Sequence, residues 1–203
     1  MSAGVVGAAA SGETVEIRWH GRGGQGAVTA AKLLAEAAYA SGWEGVTSAP
    51  TFGAERRGAP VTASTRLAHE PIRVLSQVTT PDVVVVLDDS LLAVANAAAG
   101  VKPGGIVLVN TTQPAGKLGL AGDFRVVATD VTGAAEAAGV IVGGQPIVSA
   151  AILGAVAKAT GLVTLASVEA AIAGAFPPGP AAKNAEAAQT AYECTAGEGS
   201  TRA

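Results

Sequence analysis

The segment "PDVVVVLDDS", Pro81 to Ser90, constrains the fold more than any other part of the chain. Four consecutive valines and a leucine leave no polar face, so the run reads as a central strand buried on both sides, as in a parallel sheet. A strand of that kind needs crossover helices to cover it. The rest of the sequence supplies alternating strand-like and helix-like segments, which argues for an α/β sandwich.

Val15 to Trp19 is a short apolar run and reads as the first strand. Ala27 to Ala40 is rich in helix formers, with Val28, Leu34, Ala35, Ala38 and Tyr39 able to share a buried face, and Ser41-Gly42 stops it. Val46 to Ser48 is a weak second strand. Val61 to Leu67 alternates as a strand should, and "AHEP" turns it into Ile72 to Leu75, which predicts a hairpin. Asp88, Asp89 and Ser90 are residue types that cap helices, here one over Leu91 to Ala98. Further strands are expected at Ile106 to Val109 and Phe124 to Ala128. Helices are expected over Val131 to Ala138, Pro146 to Thr160, Ser167 to Ala175 and Pro180 to Tyr192. The sum is a three-layer Rossmann-like α/β sandwich with a mainly parallel sheet and an edge hairpin. It forms a single domain over 14–195, between an extension expected to be disordered over 1–13 and a flexible tail over 196–203.

"WHGRGGQG", Trp19 to Gly26, joins the first strand to the first helix and matches G-x-G-x-x-G at Gly21, Gly23 and Gly26. A dinucleotide site needs, in addition, an acid at the end of the second strand to hold the ribose hydroxyls. That position reads Thr47-Ser48-Ala49-Pro50, and Glu44 lies only at the strand's start. The loop is thus able to grip a phosphate without being a complete nucleotide site. Gly23, Gly24 and Gly26 let backbone N–H groups converge at a helix N-terminus, where partial positive charge favours an anion, and Arg22 adds a fixed charge. A second segment, "TFGAERRGAP", places Glu55, Arg56 and Arg57 between two glycines, in a loop expected beside the first at the C-terminal ends of the strands. The plainer alternatives are close strand–helix packing for the glycines and a solvated cluster or subunit salt bridge for the arginines.

No nucleophile–base set, metal-ligand spacing or P-loop lysine accompanies these loops. Capping explains Asp88-Asp89 more simply than an acid–base dyad does. Cys194 alone cannot ligate an iron–sulfur cluster, and His20 and His69 are too few for a protein-only metal site. The composition is 49% apolar but only 3% aromatic, so the core must be built from Ala, Val, Leu and Ile. A net charge of -3 argues against nucleic acid as the main partner. No apolar run suits a membrane span, and "MSAGVVGAAASG" lacks the basic start of a signal peptide, so a cytoplasmic chain is expected.

Four ordered segments, "IRWHGRGGQGAVTAAKLLAEAA", "FGAERRGAPV", "PIRVLSQVTTPDVVVVLDDSLL" and "LGAVAKATGLV", together resemble the gamma subunit of pyruvate:ferredoxin oxidoreductase, within the wider 2-oxoacid:ferredoxin oxidoreductase family. The resemblance spans Val15 to Tyr192. It implies a complex that oxidatively decarboxylates pyruvate, transfers the acetyl group to coenzyme A and passes electrons to ferredoxin, or runs in reverse as a pyruvate synthase. It implies alpha-, beta- and delta-like partner subunits, with thiamine diphosphate and magnesium between the first two and iron–sulfur clusters on the beta- and delta-like ones. This chain would then be a non-catalytic subunit that completes the assembly and helps to bind coenzyme A through Arg22, Gly23, Gly24, Gln25, Gly26, Glu55, Arg56 and Arg57. Where the family pattern carries Asn this chain has Ser149, so no role is transferred to that position. The substrate pocket implied by the resemblance lies in other chains. A gamma subunit serving 2-oxoglutarate, an indolepyruvate-type acid or a branched-chain acid therefore fits equally, and a structural module without ligand contacts is the further alternative.

Overall fold

The computed structural model describes residues 13–51, 57–74 and 76–195. Residues 1–12 and 196–203, which hold the expected extension and tail, lie outside the described residues, as do Glu55, Arg56 and Leu75. Strands β1 (Val15–Arg22), β2 (Gly45–Pro50), β3 (Pro60–Ala68), β4 (Val83–Val86), β5 (Gly105–Asn110) and β6 (Phe124–Thr129) form one sheet in the order β2-β3-β1-β4-β5-β6. β1, β4, β5 and β6 run parallel, whereas β3 is antiparallel to both β1 and β2. The valine run is β4. All four of its residues are fully buried, with apolar neighbours on both faces.

The helices are α1 (Ala27–Ala40), α2 (Leu91–Val94), α3 (Val131–Ala137), α4 (Ala151–Thr160), α5 (Leu165–Ala175) and α6 (Pro178–Cys194). All but α2 pack on one face of the sheet, over Ile17, Trp19, Val83 and Val85. The other face, with Val84, Val86, Val107 and Val109, is covered by the short α2 and by Leu118 and Leu120. The thick layer needs few large side chains because its helices approach closely. A Cβ on Gly154 of α4 would lie 1.8 Å from the Ala188 carbonyl oxygen of α6, so only glycine permits that crossing.

Several boundaries differ from the sequence expectation, each for a physical reason. β1 continues through Gly21 to Arg22 instead of ending at Trp19, because β3 pairs with it as far as Pro60. The hairpin between Val61–Leu67 and Ile72 onward does not form. β3 instead inserts between β1 and β2, and Pro71 offers no N–H to a ladder. The Arg66 side chain also donates to the carbonyls of Val74 and Ser76, which pins that segment over the sheet without strand pairing. The antiparallel edge is therefore β2–β3.

The helix after Ser90 stops at Val94, short of Ala98, and Asn96 then adopts a left-handed backbone (φ 44). α4 starts at Ala151 because Pro146 belongs to a small antiparallel hairpin, β7 (Ile141–Val142) and β8 (Gln145–Pro146), turned by Gly143-Gly144. On α1, Tyr39 is 71% exposed and Ala35 half-buried, while Ala30, Ala31 and Leu33 join Leu34 and Ala38 on the buried face.

Candidate anion-binding cleft

β1 and β4 are parallel neighbours, but the helices that follow them go to opposite faces of the sheet, α1 to the thick layer and α2 to the thin one. Open α/β sheets bind ligands at such a divergence, outside the carboxyl ends of the strands. The glycine loop lies there. Gly26 is the N-cap of α1 in the left-handed conformation (φ 84), with no side-chain cap and no acid in the first turn. A Cβ on Gly26 would come within 2.7 Å of Ser149 Cβ, so glycine is required twice over. The first intrahelical bond runs from the Ala30 N–H to the Gly26 carbonyl, which leaves the amides of Ala27, Val28 and Thr29 pointing out of the helix end. Those amides carry the positive end of the helix dipole.

The second loop meets the first through its backbone. Gly23 N–H donates to the Ala59 carbonyl at 2.8 Å, and Gly58 N–H donates to the Gly23 carbonyl at 3.0 Å. Arg57 is thereby placed alongside Gly23 with an exposed side chain that makes no ion pair with a described residue. Glu55 and Arg56 fall outside the described residues.

Arg22 and Gln25 are held by the protein itself. The Arg22 guanidinium donates to Asp88 Oδ2 at 3.0 Å, to the Gly58 carbonyl at 3.1 Å and to Ser90 Oγ at 2.6 Å. Gln25 accepts from the Arg22 N–H at 2.8 Å and donates to the same Asp88 oxygen at 3.0 Å. Asp88 also accepts from the hydroxyl and the N–H of Ser90. Burial alone would raise the Asp88 pKa, but the bonds from Ser90, Gln25 and Arg22 outweigh it and hold the carboxyl below its ordinary value. Asp88 thus stays ionised and ties three loops into one body. It does not cap α2, whose N-cap is Ser90 without a side-chain cap bond.

Two clefts flank this body. The larger, about 460 Å³, is lined by Gly23, Gly24 and Arg57 on one side and by Val142, Ile147 and Val148 on the other. The smaller, about 380 Å³, is lined by Asp88, Asp89, Asp130 and Glu136. Asn110 stands between them, donating to the Leu87 carbonyl and accepting from the N–H groups of Val131 and Thr132. A phosphate is repelled by the acidic cleft, whereas the larger one is lined by Gly24 and the exposed Arg57.

Residues 16–194 match the sequence profile of the pyruvate ferredoxin/flavodoxin oxidoreductase family. The chain belongs to that family. It is 50% identical, over 89% of its length and 97% of the relative's, to the pyruvate/ketoisovalerate oxidoreductases common subunit gamma of Thermococcus kodakarensis. It is 46% identical to the pyruvate synthase subunit PorC of Methanothermobacter thermautotrophicus, over 88% of this chain and 94% of that one. The crystal structure of pyruvate oxidoreductase subunit PorC from Thermotoga maritima superposes with a TM-score of 0.77 at 35% identity, over 91% of this chain and 98% of that one. These members of the pyruvate ferredoxin/flavodoxin oxidoreductase family are subunits of larger oxidoreductases. Among the described residues no helix is long and apolar enough to cross a membrane, and no group of three or more His, Cys, Asp or Glu could hold a metal ion.

Sequence reasoning missed three contributors to the cleft: Asp88 as the clamp, Asn110 as the divider, and the β7–β8 hairpin as a wall. The Asp-Asp pair at the end of a buried strand was the available signal for the first. Gly143-Gly144 was the available signal for the third.

Proposed function

We propose that the chain is the gamma subunit of a pyruvate:ferredoxin oxidoreductase of the pyruvate synthase type, and that its larger cleft receives the phosphates of coenzyme A. The single observation that carries the ligand reading is the glycine loop at the β1/β4 divergence, which lines the larger cleft together with Arg57 and leads into the uncapped N-terminus of α1. Gly23, Gly24 and Arg57, which line the cleft, face the ligand, and Gly26 starts α1. Arg22 and Gln25 shape the loop through Asp88, and Glu55 and Arg56 are neighbours to be tested by substitution. The chain has no activity alone. It assembles in the cytoplasm with alpha-, beta- and delta-like subunits that carry thiamine diphosphate, magnesium and the iron–sulfur clusters, and that deliver electrons to ferredoxin.

A second reading concerns the substrate. The Thermococcus relative is named as a subunit common to pyruvate and ketoisovalerate oxidoreductases. This chain would likewise serve more than one 2-oxoacid complex, since the substrate pocket is not its own. Purification from the native source should recover the partner chains and show which 2-oxoacids the complexes oxidise. In the assembled enzyme, Arg57→Ala should raise the coenzyme A KM about ten- to a hundredfold, as expected for one lost charge-assisted hydrogen bond, and leave pyruvate and ferredoxin KM unchanged. Normal coenzyme A kinetics in that variant would remove the ligand reading and leave a structural subunit.

A further inference from the structure

The polar outer face of β1 and β3 holds a cavity of about 360 Å³ that shares no lining residue with the two clefts at the glycine loop. Arg18, His20, Thr62 and Ser64 line it from the sheet, with Gln77 and Asn96 from flanking loops. Across the β1–β3 ladder His20 stands opposite Thr62 and Arg18 opposite Ser64, so strand alternation brings all four to one face. No Asp or Glu lines the cavity.

Two groups in it lack a counterpart. Arg18 donates from Nε to His20 Nε2, and from its other nitrogens to the carbonyls of Val78, Thr79, Ala97 and Ala99. Every one of those acceptors is neutral, so the guanidinium charge is uncompensated among the described residues. Glu16, two residues earlier, is paired with Arg66, and Asp82, ahead of β4, with Lys102. The second group is His20. A guanidinium only donates, so Nε2 is the bare nitrogen, and the neutral ring carries its proton on Nδ1. Burial and the Arg18 charge hold the His20 pKa at about 4, which keeps the ring neutral near pH 7. His20 is 5% exposed, yet Nδ1 makes no hydrogen bond with a described residue and is not sealed off from the cavity that the ring lines. Water would satisfy that N–H but not the Arg18 charge. A singly charged oxygen acid satisfies both, whereas a phosphate brings more charge than the one cation balances.

We infer that this cavity is a carboxylate site, in which one carboxylate oxygen accepts from His20 Nδ1–H and the group lies beside the Arg18 cation. The site is independent of the coenzyme A reading. Its carboxylate belongs to a small free acid or to an Asp or Glu of a partner subunit, and the chemistry of recognition is the same for both.

The test labels the histidines of the full chain and follows their imidazole signals by NMR, with the exposed His69 as internal reference. Acetate is the probe, and chloride at matched ionic strength is the control. At pH 7 acetate should shift the His20 signal saturably and leave His69 unmoved. It should also raise the His20 pKa from about 4 to about 5 or above, and chloride should do neither. Thr62→Asp, which sets a carboxylate opposite His20, should raise that pKa by itself and abolish the acetate response. The same signals in the complex reassembled around the labelled chain separate the two sources. An acetate response that persists there assigns the site to a small free acid. A response lost on assembly, with Thr62→Asp weakening assembly, assigns it to an Asp or Glu of a partner subunit. No saturable acetate shift in the wild-type chain, an equal response to chloride, or an acetate response that survives Thr62→Asp overturns the inference. A response lost on assembly while the Thr62→Asp chain assembles like wild type overturns it too.

Discussion

The two halves of the sheet are held by different physics. In β4 and β5, Val83 to Val86 and Ile106 to Val109 are apolar and buried on both faces. In β1 and β3 only the face toward the helices is apolar, and the outer face is a network of charges and hydrogen bonds. Arg66, 3% exposed, donates to Glu16 at 2.8 Å. Arg18 donates to His20 Nε2 at 3.0 Å and to the carbonyls of Val78, Thr79, Ala97 and Ala99. The apolar half asks only for volume and dryness. The polar half asks for each donor to meet its acceptor. The candidate site lies on the seam, built from the loop after β1 and the Asp88 carboxylate after β4.

The contrast breaks most sharply if charge enters the apolar half. Val85→Asp buries a carboxylate with no partner and should destabilise by more than about 4 kcal/mol, so that the chain fails to fold in denaturant-melt or circular-dichroism measurements. In the polar half, Arg66→Ala leaves the partly buried Glu16 carboxylate without its guanidinium and should lose about 2–3 kcal/mol by urea unfolding. That is less than a fully buried pair would lose, because the Glu16 side chain is 22% exposed.

The polar half should also respond to pH. Burial, with the Arg18 charge added to it, lowers the His20 pKa from 6.5 to about 4. A histidine whose folded pKa lies below its unfolded value resists protonation only in the folded state. Stability is therefore full above pH 6.5 and falls as pH drops towards 4, by about 3 kcal/mol in all. His20→Gln should flatten that window while leaving the slope elsewhere unchanged. Equal pH slopes for the two proteins between these values would show that His20 is not the responsible group.

At the seam itself the effect on stability should be the smallest and the effect on ligand the most specific. Asp88→Asn weakens the clamp on Arg22 and Gln25, both partly solvated. It should lower stability by about 1 kcal/mol yet raise the coenzyme A KM about tenfold, because the loop amides lose their fixed direction. Equal loss of assembly and of coenzyme A response would place Asp88 in a purely structural role.

What was legible in the sequence follows the same division. The valine run and α1 could be read because burial and helix periodicity are local patterns, and they fixed the parallel centre and its first crossover. The Arg18, His20 and Arg66 network could not be read, since its acceptors are backbone carbonyls and a carboxylate far away in the chain. The sequence pairs β3 with the segment after it, whereas the structure pairs it with the strand before it, β2, and with the distant β1. In the site, the glycine loop was visible as a motif. The sequence marks Arg22 and Gln25 as candidate ligand contacts but gives no sign that Asp88, 66 and 63 residues away, bonds to them.

The most direct measurement is a structure of the assembled oxidoreductase with coenzyme A bound. The phosphates should lie within hydrogen-bond distance of the Gly24 amide and of Arg57, with Arg22 still on Asp88 and the Gly23 amide still on the Ala59 carbonyl. Coenzyme A phosphates held by another subunit, with this cleft filled by protein, would refute the assignment of the seam as the ligand site.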